Sequence, residues 1–296
     1  MIPPAILLLA IGTLISLLHA DDAAVVASLS AAKAKVSAIR DGGWAVDLGD
    51  AHGLSEAVWT QLGQLAGIRR VSGNGAQFDD HALARIAKIA TIETLFFNGP
   101  SFTDAGLAVL ATMPRLHSFG VDHSTVIVGS GLAPLQGASQ VTTLHFGGCV
   151  VGDEGVRTIA QLIQLEDIGL GHTRITRASF PLLAAMPALA RLELTPNWDP
   201  QPYTAADLAA FATMARLREL ELHDMVLPWD NGLDHLAMIS SLTTLKLYWC
   251  YISAADLAKI KAGLPAVTLD IRNPAGEDRL KQYNERLDKL HAGAVR

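Results

Sequence analysis

The chain has 296 residues, half of them apolar, with a formal charge of minus six and a pI near 5.9. With no run of lysine or arginine anywhere, this acidic balance argues against a general nucleic-acid footprint, which needs a basic face. It also lacks a phosphate-binding loop, a dinucleotide fingerprint, a G-x-S-x-G elbow and an N-x-S/T acceptor, so neither an enzyme nor a cofactor is expected.

Residues 2 to 18 form an uncharged apolar block that ends at His19 and Ala20, before Asp21 and Asp22. Its shortness, with Leu18 and Ala20 at the minus three and minus one places, predicts a signal peptide over residues 1–20 and a secreted or periplasmic protein. No basic residue precedes Lys33, so the alternative is an uncleaved membrane anchor through residues 2–18. Residues 21 to 40 place Val25, Val26, Leu29, Ala32, Val36 and Ile39 at roughly helical spacing before Asp41, Gly42 and Gly43. This predicts a capping helix over 21–42 that covers the first strand, Trp44 to Leu48, because an open sheet edge invites pairing with another chain.

From residue 43 to 273 one design recurs. Its clearest copy runs from Ile92 to Arg115, where Ile92, Leu95 and Phe97 give apolar offsets of zero, three and five, followed by Phe102 and a helical run Leu107, Leu110, Met113. The first apolar position returns at Ile68, Ile92, Leu116, Val141, Leu165, Leu189, Leu217 and Leu242, with steps of 24, 24, 25, 24, 24, 28 and 25 residues. Weaker ends fall at Gly43 and Ala266. Each copy supplies one strand and one short helix, and neither buries its apolar face until the next copy stacks on it. The convex segments, such as 104–113, 154–162 and 205–214, are rich in alanine and are expected as short helices with no site of their own.

The pattern resembles that of leucine-rich repeat proteins, and in particular the cysteine-containing-like subclass found in bacterial secreted proteins, L-x-x-L-x-L-x-x-C-x-x-I-T-D-x-G-L. The match is closest at Leu95, Phe97, Phe102, Thr103, Asp104, Gly106 and Leu107, and at Leu144, Phe146, Cys149, Val151, Asp153, Gly155 and Val156, with Cys250, Ile252 and Leu257 near the end. The resemblance implies an α/β solenoid of about ten rungs, with a curved parallel sheet inside, short α-helices outside, and binding rather than catalysis.

Cys149 and Cys250 share one slot, eight residues into their repeats but four repeats apart. Strands about 4.8 Å apart separate them by roughly 19 Å, which no disulfide spans. Both are expected as small buried residues, in the slot held elsewhere by Ala76, Ser124 or Thr173. The 28-residue copy departs from the period with Pro196, Asn197, Trp198, Asp199, Pro200, Gln201, Pro202 and Tyr203, a stiffened loop of the kind that emerges on a binding face. At the end, residues 274–296 carry Leu280, Tyr283, Leu287 and Leu290 among charges and are expected as a capping helix or a tail.

Alternation along a strand sends offsets two, four and six to the concave face. The central copies there combine Gly120, Gly147, Gly169 and Gly171 with His145, Asp122, Asp167, His123 and His172, which predicts a shallow hollow for a peptide tail or small ligand. Farther on, Glu221, His223 and Lys246 join Trp198, Tyr203, Trp229, Tyr248 and Trp249 in a candidate contact patch on the C-terminal loop edge, since rings bury much area at low entropy cost. The expected function is a non-catalytic module for a protein or peptide, with a glycan as a further candidate. The rivals are a metal-assisted hydrolase centred on His145 and its neighbours, for which no local ligand motif is present, and a structural protein of the cell envelope.

Overall fold

The computed structural model describes residues 20–40, 42–49, 55–197, 202–272 and positions 281, 285 and 289. Residues 1–19, most of the segment expected as a signal peptide, Trp198 and almost all of the C-terminal segment expected as a cap or tail therefore lie outside the described residues.

The described strands form one sheet in chain order, β1 Lys35–Ala38, β2 Trp44–Asp47, β3 Ile68–Asn74, β4 Thr94–Asn98, β5 Ser118–Asp122, β6 Thr143–Gly147, β7 Asp167–Gly171, β8 Arg191–Thr195, β9 Glu219–His223, β10 Thr244–Tyr248 and β11 Thr268–Arg272. From β2 to β11 the pairing is parallel, so ten rungs stack. Register puts Leu95, Phe119, Leu144, Ile168, Leu192, Leu220, Leu245 and Leu269 in one row. That row is what offset three of the repeat demands, because a slip of one residue would turn every apolar side chain to solvent.

Offsets zero, three and five are buried along most of the array. Beneath the first rungs runs a file of rings, with Phe78 and Phe97 centroids 5.1 Å apart, Phe97 and Phe102 5.4 Å, Phe102 and Phe119 6.2 Å, and Phe119 and Phe146 6.5 Å. Both cysteines are buried and free, and each thiol donates to the preceding rung, Cys149 to the Val121 carbonyl and Cys250 to that of Leu222, each at 3.3 Å. Burial pushes their pKa values up to about 11 and about 12, so neither is a ready nucleophile. Ser124 and Thr173 fill the same slot as buried residues, whereas Ala76, expected with them, is exposed.

The N-terminal cap differs from the sequence expectation. Its helix, α1 Ala20–Ala31, ends as Lys33 turns to φ 67°, and Lys35–Ala38 pairs antiparallel with β2. Four residues are too few for periodicity to separate helix from strand, and the open hydrogen-bonding edge of β2 decides the matter. The convex segments are also shorter than expected. The helices α2 Glu56–Gln64, α3 Asp80–Ile86, α4 Asp104–Leu107, α5 Asp153–Ile159, α6 Phe180–Ala184 and α7 Ala254–Gly263 share the outer side with 3-10 turns such as Ser130–Gly137, Ala205–Phe211 and Leu233–Met238. A 3-10 turn rises more per residue, so a 24-residue rung can close its outer arc with few residues.

The T-D-x-G part of the repeat ties rung to rung. The Asp80 carboxylate accepts from the Thr103 amide at 2.6 Å and its hydroxyl at 2.9 Å. Asp104 accepts from the amides of Val128, Gly129 and Gly131, and Asp153 from Thr176 and Ser179. The glycine is required because the neighbouring rung approaches there: a Cβ on Gly131 would stand 1.8 Å from the Asp104 carbonyl oxygen, and one on Gly155 2.2 Å from that of Val128.

Candidate functional site

Seven of the described strands, β3 to β7, β9 and β10, are followed by a residue that turns the chain out of the sheet in the left-handed region. Gly75, Gly99 and Gly148 take this place in three rungs, and His123, His172, Asp224 and Trp249 take it with φ between 49° and 57° in four others. A residue with a Cβ is strained there by about 1 kcal/mol or more. In the rung of β8 the equivalent position is Pro196, whose ring fixes φ near −65° and forbids the turn. This accounts for the longer loop of that rung.

Three concave residues per strand, such as Thr143, His145 and Gly147 of β6, stand on the open face. Across β4 to β9 they enclose a hollow of about 370 Å³ lined by Phe96, Asp122, His123, His145, Gly147, Gly148, Gly169, Gly171, His172, Glu193, Thr195 and His223. The glycines do not leave bare backbone open to a ligand. They let neighbouring side chains lie down: a Cβ would meet the Phe96 ring at 2.8 Å on Gly120, Asp122 Oδ1 at 2.4 Å on Gly147, the His123 ring at 2.9 Å on Gly148, and His145 Nδ1 at 2.6 Å on Gly169. The hollow is shallow for that reason.

His145 is the centre of its polar wall. Its Nε2 lies 3.1 Å from Asp167 Oδ1, Arg191 Nε donates to Asp167 Oδ2 at 2.9 Å, and its Nδ1 lies 3.9 Å from Glu193 Oε2. Burial alone would lower the His145 pKa, but the hydrogen bond and charge of Asp167 outweigh it and raise the value. Burial likewise works to raise the Asp167 pKa, and His145 and Arg191 outweigh it and lower the value. Asp122 and Glu193 behave oppositely: burial raises both, and for Glu193 the charge of Glu221 adds to the rise. His123 Nδ1 donates to Asn98 Oδ1 at 2.8 Å, and His172 Nε2 lies 3.5 Å from Asp224 Oδ2.

Next to the hollow, β9 to β11 carry a second cluster. His223 Nε2 donates to Glu221 Oε1 at 2.7 Å, and its ring meets Tyr248 edge to face at 5.1 Å. Lys246 Nζ reaches Glu219 at 2.5 Å and Glu221 at 3.2 Å, while the Tyr248 hydroxyl donates to Asp270 at 2.7 Å under the Arg272 guanidinium. Trp249 beside it is 50% exposed.

The aromatic edge patch expected from the sequence does not form as one surface. Tyr203 is only 2% exposed and packs its ring 4.9 Å from Phe180. After the four extra residues of its rung it occupies the core position held by Phe102, Val151 and Ile175 in other rungs, and its buried hydroxyl has no hydrogen-bond partner among the described residues. Trp229 turns to the convex side, its amide donating to Asp256 Oδ1 at 3.0 Å and its indole lying against Gly263 of α7. Of the described rings of that patch, Tyr248 stands half-buried on the last strands and Trp249 is exposed.

The metal-ligand set considered around His145 is also not assembled, because Asp167 is engaged with Arg191 and His123 with Asn98. Among the described residues the group whose donor atoms do converge is Glu193, Glu221 and His223. Phe96, Glu193 and Thr195 are lining residues that the sequence did not single out. Register supplies the signal for Glu193, since it stands beside Gly169.

No protein-family profile matches the sequence, and no curated protein does. Among solved structures the chain is similar to an internalin of Listeria monocytogenes str. 4b F2365, with a TM-score of 0.50 and 19% identity over 78% of this chain; the match spans 60% of that protein's length. It is also similar to internalin C2 of the same strain, with a TM-score of 0.42, 24% identity and coverage of 66% of this chain and 76% of the other. A third is TLR13 in complex with ssRNA13, with a TM-score of 0.47, 14% identity and coverage of 74% of this chain and 30% of the other. With ten parallel strands in register, outer helical turns and a continuous apolar seam, the chain has the leucine-rich repeat fold, an α/β solenoid.

Proposed function

We propose that the chain is a non-catalytic module that holds a protein or peptide against its concave face, with the rim at Tyr248 and Trp249 as a secondary contact. The observation that carries this reading is the hollow across β4 to β9, where Phe96, 40% exposed, stands with the half-buried His145, His223, Asp122 and Glu193 and the exposed His123 and His172. An apolar ring beside convergent polar groups on a rigid sheet is the composition of a recognition site. His123, His145, His172 and Glu193 are the residues that would read the partner, with Asp167 holding His145, and Glu221, His223 and Lys246 forming the wall toward the rim.

The concave imidazoles pair with carboxylates or Asn98 and not with a hydroxyl or thiol, so the nucleophile and base arrangement of a hydrolase has no support among the described residues. Net charge by itself does not exclude a nucleic acid, because local basic residues rather than the total govern such contacts. The reading places the protein outside the cytoplasm on the strength of residues 2–18. Among the described residues no helix is long and apolar enough to cross a membrane.

The test is capture from the native envelope fraction on immobilised full chain, run beside Phe96→Ala and His145→Ala. Loss of the same captured protein from both variants, with their melting unchanged, is the expected result. Undiminished capture by both would overturn the reading.

A further inference from the structure

Glu193 and Glu221 stand directly opposite each other on β8 and β9 and share the concave face. Like charges in that relation destabilise a sheet unless something cationic lies between them. Glu221 has such a partner on its far side, because Lys246 stands opposite it on β10. Glu193 has none. Its far neighbour is Gly169, its closest cationic partner is the His145 imidazole at 3.9 Å, and among the described residues no hydrogen bond reaches its carboxylate.

His223 lies two residues beyond Glu221 in the same strand, so its imidazole rises from the same face. One donor atom from each of Glu193, Glu221 and His223 lies within 4.8 Å of the others. The Glu193 carboxylate reclines over bare backbone: a Cβ on Gly169 or Gly171 would come within 3.1 Å of one or other of its oxygens. The room left there opens into the hollow, which Glu193 and His223 both line.

We propose that Glu193, Glu221 and His223 form a binding site for a first-row divalent cation, zinc above all, with its remaining coordination position facing the hollow. Two carboxylate oxygens and one imidazole nitrogen are a donor set that suits zinc, and calcium or magnesium would be disfavoured by the nitrogen. The ion supplies the positive charge that Glu193 lacks, while Lys246 stays with Glu219 and Glu221. His223 then binds through Nε2 and carries its proton on Nδ1, so the hydrogen bond that Nε2 now gives Glu221 is exchanged for a shared ion. This inference concerns the chain alone and does not depend on the partner reading.

The experiment uses the full chain after dialysis against a chelator. Zinc is titrated by calorimetry, and cobalt(II) by its visible absorption, which reports coordination geometry. The expected result is one equivalent per chain, with intense low-symmetry cobalt bands, and affinity lowered at least about tenfold in both Glu193→Gln and His223→Gln but unchanged in His81→Ala. Metal-free melting curves establish that the variants fold, and if His223→Gln does not, the isosteric Glu193→Gln decides. Absence of stoichiometric binding, undiminished affinity in a folded Glu193→Gln variant, or a cobalt spectrum no different from that of the hydrated ion would overturn the proposal. None of these outcomes bears on partner capture.

Discussion

The two sides of the solenoid use glycine in opposite ways. Along the outer turns, Gly131 and Gly155 face the backbone of the preceding rung at distances that no Cβ could occupy, and the aspartates of the same motif clamp the next rung through its amides. Along the concave strands, Gly120, Gly147 and Gly169 face side chains, Phe96, Asp122 and His145, that could rotate away. The first kind of contact fixes the spacing of the rungs. The second leaves a surface whose side chains are held in place yet able to adjust, and a scaffold that is rigid behind an adaptable face is what recognition requires.

The largest effect should come from putting the same methyl group on each side. Gly131→Ala is expected to lose about 1–3 kcal/mol, because backbone must move, whereas Gly147→Ala should lose less than about 1 kcal/mol, because only the Asp122 carboxylate must turn. Urea unfolding of the two variants checks this, and equal losses would erase the distinction.

A smaller and pH-dependent effect belongs to Asp153. Burial works to raise its pKa, but the bonds from Ser179 and Thr176 outweigh it and lower the value. A carboxylate depressed in the folded state adds stability above its unfolded value of about 3.9 and loses it as pH falls through the folded value. Asp153→Asn should therefore cost about 1–2 kcal/mol at pH 7, with the gap to the native chain closing below about pH 4. A gap that stays constant on acidification would mean that charge has no part in the clamp.

The smallest expected change is of opposite sign. His172 holds φ 49° with only a 3.5 Å contact to Asp224, so His172→Gly should gain up to about 1 kcal/mol in melting experiments while weakening capture of the partner. A gain in stability with capture intact would assign the histidine to neither role.

The rungs are legible in the sequence because a solenoid repeats its contacts at a fixed interval, so that the spacing of Leu95, Leu144, Leu192 and Leu245 by itself implies one row. Offset seven is equally visible as a set of residues, but its left-handed turn, and the reason Pro196 needs four more residues, belong to the backbone. Tyr203 departs from the sequence expectation because the insertion shifts its count: once the four residues are subtracted it falls on the core offset of Phe102 and Ile175. Trp229 departs from it because a ring in a loop can turn to either side, and its placement depends on Gly263, more than thirty residues away. The concave chemistry divides the same way. Glycine and histidine are readable strand by strand, while the opposition of Glu193 and Glu221, and the leaning of His145 over Gly169, exist only between strands.

The central claim is that the concave face, not the convex one, meets the partner. Carbethoxylation of histidines, read by mass spectrometry with and without the captured partner, tests it most directly. Protection of His123, His145, His172 and His223 with His81 and His235 unchanged is the predicted result, and protection of His81 and His235 with the concave four still reactive would contradict it.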